Sequence, residues 1–144
     1  MAERQAVIRM SALTIHDVNT AIDYLASITD APAYVRELNP RLELVRRPLE
    51  DIFRLAHASQ VPSDGVMPSI AQKLKPLLND LQSSMIKMAD MFEPWLYPES
   101  SGSGGRRAWK PLFSTSRAME VNKVRTAFIV LKRQMSAVAV EARR

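Results

Sequence analysis

The stretch VRELNPRLELVRRPLEDIFRLA, residues 35–56, decides the fold. Within it Val35, Leu38, Leu42, Val45, Leu49, Ile52 and Ala56 recur at intervals of three and four, which in a helix of 3.6 residues per turn stacks them on one face. A strand would need alternation with a period of two, and no part of the chain sustains it. Pro40 and Pro48 fall inside the repeat, each lacking a backbone N–H and crowding the carbonyl four residues earlier. The apolar register nevertheless runs through both. The spacing predicts a helix kinked at Pro40, or restarted there with Asn39 as its cap, and bent more gently at Pro48.

Towards the N-terminus, Ile8, Ile15, Val18, Ile22, Leu25 and Ile28 form a second helical stripe. Its helix starts either at Thr14, with Asp17 as a short capping-box partner, or earlier, near Glu3. The segment closes at Thr29-Asp30-Ala31-Pro32, where Asp30 can cap the next helix and Pro32 suits its first turn. Towards the C-terminus, the polar loop Ser59 to Pro68 precedes a third stripe of Ile70, Leu74, Leu77, Leu78, Leu81, Met85, Met88 and Phe92, with Pro76 as a kink and Pro94 as its stop. The stretch from Glu93 to Pro111 contains SSGSGG and has the composition of a flexible linker. Ser114, Thr115 or Ser116 then offers a cap for a fourth helix carrying Val121, Val124, Phe128, Leu131, Met135 and Val138. The expectation is one domain over residues 1–144, an all-α four-helix bundle with proline-kinked helices and a flexible Gly/Ser loop at about 98–108. The short connection between the first two helices favours an antiparallel hairpin.

Composition bounds the chemistry. The 144 residues are 47% hydrophobic and 24% charged, in the range of a soluble single domain. The absence of cysteine excludes disulfides, thiolate metal sites and cysteine nucleophiles. Glu3, Arg4 and Arg9 interrupt the apolar N-terminal residues, so no secretory h-region is present, and no apolar run approaches the roughly 18 residues of a membrane span. These features favour a cytoplasmic protein, at most peripheral to a membrane.

No enzyme signature emerges, and no cofactor, metal or small-molecule substrate is expected. His16 and His57 lie outside any ligand spacing and read as surface or boundary residues. Glu50, Asp51, Asp90 and Glu93 read as solvated helix charges rather than an acid–base pair. Ser101 to Gly105 lacks the lysine and hydroxyl of a phosphate-binding loop and reads as linker. Met85, Met88 and Met91 are core by default, or an adaptable partner-binding helix. Ile15, Val18 and Ile22 would be the membrane-facing residues of a membrane-active bundle.

Charge is divided unevenly. Residues 1–105 carry 10 basic and 13 acidic side chains, whereas residues 106–144 carry 10 basic and 2 acidic. The net charge of +5 is therefore a mildly acidic body joined to a strongly basic last segment. Lys123, Arg125, Lys132 and Arg133 form a candidate face for a partner, an anionic lipid or, less favoured, nucleic acid bound without base reading. The alternative is a solvated helix face, with part of its charge attracted to the acidic body.

The order of these features resembles a known family. ITDAPAYVREL at residues 28–38, continued by Leu42, Val45, Leu49 and Ile52, is similar to the start of the fungal STAND (NLR-like) N-terminal domain. The turn WKPLF at residues 109–113, and a last helix with Val124, Leu131 and the small-apolar run Ser136 to Val140, resemble that family's end. The resemblance implies a HeLo-like helical bundle without an active site, acting in signalling and programmed cell death by self-association or protein partner docking. Some such domains insert an N-terminal helix into membranes; Glu3, Arg4 and Arg9 depart from that pattern here.

Overall fold

A computed structural model describes residues 2–58, 66–97, 107–110 and 115–143. Four long helices carry the fold: α1 (Ala2–Ala26), α3 (Leu38–His57), α4 (Met67–Phe92) and α5 (Thr115–Arg143). Between them lie a single turn, α2 (Ala33–Arg36), a 3-10 turn at Glu93–Trp95, and two short strands, β1 (Ile28–Thr29) and β2 (Arg107–Ala108). The all-α bundle expected from the apolar spacing is the observed architecture.

The helices pack in the cyclic order α1, α3, α5, α4, so α1–α4 and α3–α5 form opposite sides of the bundle. The first two long helices are neighbours, and the connection from α3 to α4 joins diagonal helices. Every seam residue of the deciding stretch from Leu38 to Ala56 is buried, and Val35 of α2 joins them. Leu74, Leu78, Leu81, Met85, Met88 and Phe92 bring α4 to the same core, as do Val121, Val124, Phe128, Leu131 and Met135 of α5.

The proline expectations are resolved by backbone bookkeeping. Helical structure breaks at Glu37, which lets Pro40 sit in the first turn of α3, where its missing N–H costs no internal bond. Asn39 is inside that turn and makes no cap; neither Pro32 nor Glu37, the residues at the two N-caps, makes a side-chain cap bond. Asp30 is likewise not a cap. Its φ of 61° puts it in the left-handed region, which Asp tolerates better than most residues, and it turns the chain between β1 and α2. Pro48 and Pro76 stay inside continuous helices, Pro68 occupies the first turn of α4, and α4 ends at Phe92, two residues before Pro94. For α1 the earlier start holds, and Thr14 is buried mid-helix rather than capping an end.

No strand was expected, yet Ile28–Thr29 pairs in parallel with Arg107–Ala108, and Leu96 bridges Trp109. The Trp109 N–H donates to the Thr29 carbonyl at 2.9 Å, and the Tyr97 N–H to that of Ala108 at 2.8 Å. Two paired residues carry no alternation to read. Their cause is tertiary: Trp109 is buried edge-on against Phe92 at 5.5 Å and Trp95 at 5.8 Å, which draws the chain alongside the end of α1. Residues 107 and 108, the last two of the expected flexible loop, are thus ordered by pairing. Its residues 98–106, most of the Ser59–Pro68 loop and the cap candidate Ser114 lie outside the described residues.

Candidate functional site

Clefts run along two opposite sides of the bundle. On one side, α1 supplies Asp17, Thr20, Ala21 and Tyr24, and α4 supplies Gln82, Met85, Ile86, Met88 and Ala89, around a groove of about 500 Å³. Alanines at 21 and 89 let the helices leave this space while methionines floor it. Its polar groups answer each other: Gln82 Nε2 donates to the Asp17 carboxylate at 3.2 Å. Ile86 stands 63% exposed on the rim. A shallower cleft beside it is lined by Met91, Lys87 and Asp90. The methionine spacing thus yields two buried residues, Met85 and Met88, and one half-buried residue, Met91.

Ile15, Val18 and Ile22, the candidates for a membrane-facing surface, differ in burial. Val18 is fully buried in the bundle, and Ile15 and Ile22 are partly buried against the core. In the closed bundle Val18 presents no surface, while Ile15 and Ile22 keep part of theirs exposed.

On the opposite side, α3 and α5 enclose two clefts that share Leu44 and Lys132. One, of about 210 Å³, is lined by Arg41, Leu44, Phe128, Ile129, Lys132 and Arg133. The next, of about 290 Å³, adds Arg47, Pro48, Asp51, Ala139, Val140 and Arg143. Five cations and one carboxylate therefore surround an apolar floor. Asp51 is engaged by Arg54 and Arg143. Arg41, Arg47, Lys132 and Arg133 make no ion pair or side-chain hydrogen bond among the described residues.

The other cations of the basic segment are largely used inside the molecule. Arg125 reaches Glu37 at 3.2 Å, Arg107 reaches Glu93 at 2.8 Å, and Lys123 pairs along its own helix with Glu120. Arg117 stacks on Trp95 at 4.7 Å. On the acidic side of the ledger, Glu141 receives Lys73 at 2.7 Å and the Ser69 hydroxyl at 3.0 Å. Within α5, Arg125 and Arg143 pair with the body carboxylates Glu37 and Asp51 and neutralise part of the basic excess. Arg106 and Arg144 lie outside the described residues.

Of the four candidate cations, the fold brings only Lys132 and Arg133 together at one site. The α3 contribution, Arg41, Leu44, Arg47 and Pro48, escaped the sequence reading. Its signal was a second stripe beside the seam, at positions 41, 44, 48 and 51, hidden by the stronger apolar one.

Other titratable groups do not converge. Glu50 pairs with Arg46, and His57 packs against the Phe53 ring at 5.7 Å. Among the described residues, no group of three or more His, Cys, Asp or Glu side chains could hold a metal ion, and no helix is long and apolar enough to cross a membrane. Tyr24, half-buried at the end of the α1–α4 groove, has its pKa raised by burial and by the Glu93 carboxylate, against the opposing pull of Arg107.

Compared with family models, curated proteins and solved structures, the chain has no match.

Proposed function

We propose that the chain is a non-enzymatic helical interaction module that works by docking a protein partner, as the resemblance to fungal STAND N-terminal domains implies. One observation carries this reading: four cations without side-chain partners among the described residues border an apolar floor on the α3–α5 side. A solvated helix face needs no apolar floor, and a structural salt-bridge network would leave few cations unanswered. An interface combining an apolar centre with a charged rim has the composition of a docking surface. Self-association is the second route open to such a module. Sedimentation across a wide concentration range, together with affinity recovery by the native chain and by an Arg41→Glu/Lys132→Glu variant, tests the proposal. Concentration-dependent association, or a partner recovered by the native chain and lost on the variant, is expected. A strictly monomeric chain that recovers nothing the variant does not would remove the reading.

A second reading rests on α5 alone. Val130 and Val140, 43% and 45% exposed, flank Lys132 and Arg133, an arrangement that suits an anionic lipid surface. Binding to vesicles should then rise with their phosphatidylserine content. Equal binding to neutral vesicles, or none to either, would discard it.

A further inference from the structure

We infer that the α3–α5 groove seats an acidic amphipathic helix of about four turns, supplied by a partner protein. The inference rests on the interaction-module reading and names the partner's chemistry. From Ile129 to Arg143 the groove follows α5 for about 21 Å, the length of roughly 14 helical residues. A concave seam between two adjacent helices is the shape that a third helix fills, ridge into groove, with anchors at i, i+3 or i+4 and i+7. Leu44 and Val140 lie on its two walls and present apolar surface to such anchors. Of the exposed apolar residues of α5, Val140, 45% exposed, lines this groove.

Charge selects among occupants. Arg41, Arg47, Lys132 and Arg133 would each face the flank of the incoming helix, so Glu and Asp on both sides of its apolar stripe complement them. A second copy seated on its own α3–α5 face would instead bring these cations against their equivalents. A flat bilayer meets only the crests of the two helices and leaves the half-buried Leu44 between them uncovered. Nucleic acid would use the cations and leave the apolar floor idle.

The test uses the full chain and a fluorescent synthetic helix of about four turns, with leucines at three- and four-residue spacing flanked by glutamates. Two control peptides carry lysine for every glutamate, or serine for every leucine. Anisotropy should show saturable binding of the first peptide alone. The variant Arg47→Glu/Arg133→Glu should weaken it by about tenfold or more, while Lys87→Glu, on the opposite side of the bundle, should leave it unchanged. Circular dichroism checks that both variants remain helical. Equal binding of the lysine peptide, indifference to the double reversal, or no saturable binding overturns the inference. So does a chain that ignores the peptide and binds phosphatidylserine vesicles or single-stranded DNA through the same arginines. If the peptide fails while concentration-dependent association or partner recovery persists, the module reading stands and only the acidic helix is lost.

Discussion

Helices α1 and α3 lie side by side along one interface and build it from different material. α3 offers an unbroken line of Leu38, Leu42, Val45, Leu49, Ile52 and Ala56, all buried. The deepest line of α1 is Val7, Ser11, Thr14, Val18 and Leu25, with two hydroxyl residues fully or almost fully buried in its middle. Ser11 Oγ has no hydrogen-bond partner among the described residues. One line contributes mostly transfer free energy; the other gives part of its contribution back in the desolvated Ser11 hydroxyl. The difference predicts that the middle of α1 is held less firmly than the middle of α3.

The comparison can be broken at its strong side first. Leu49→Ala should cost about 2–5 kcal/mol in urea unfolding, the range for a buried leucine whose cavity does not fully collapse. A loss under about 1 kcal/mol would mean that the seam of α3 repacks easily. On the weak side the sign reverses. Ser11→Ala should stabilise the chain by about 1 kcal/mol, because it removes a buried hydroxyl without opening a large space. A clear destabilisation would show that Ser11 is satisfied in solution.

Hydrogen exchange sharpens the same contrast without mutation. Amides in the middle of α1 should exchange through a lower-energy opening than those of α3 between Leu42 and Ile52. Matching protection along both helices would make them one cooperative unit. The smallest stability effect belongs to the rim of the bundle: Arg125→Ala, which removes the pair between half-buried Arg125 and exposed Glu37, should shift unfolding by no more than about 1 kcal/mol.

The pH dependence of Tyr24 is predicted in direction. A raised pKa means that the folded chain holds the phenolic proton more tightly than the unfolded one. Its contribution is intact below the ordinary tyrosine pKa of about 10 and is lost as pH rises through the folded value. Tyr24→Phe should therefore flatten the decline in stability above pH 10. An unchanged alkaline slope would place the phenol in solvent.

Legibility followed periodic strength. The α3 seam was readable because seven apolar residues repeat in one register, and its prolines only moved the helix break to Glu37. α1 was read with its stripe turned. Ile8, Ile15 and Ile22 are more apolar than Ser11 and Thr14 but lie on the flanks of the buried line. The site divided similarly. Lys132 and Arg133 were visible as charge on one helix, whereas Arg41 and Arg47 became their neighbours only when α3 docked on α5.

By itself the sequence determined four long helices, where most of them end, and a basic last segment joined to an acidic body. Those properties are local: spacing of three and four, proline without its donor, and charge per stretch of chain. Tertiary structure alone decided the rotation of α1, the Trp109 cluster with its paired strands, and which cations remain unanswered. Each depends on groups far apart in the chain meeting across a helix interface, and no single segment carries the energy of that meeting.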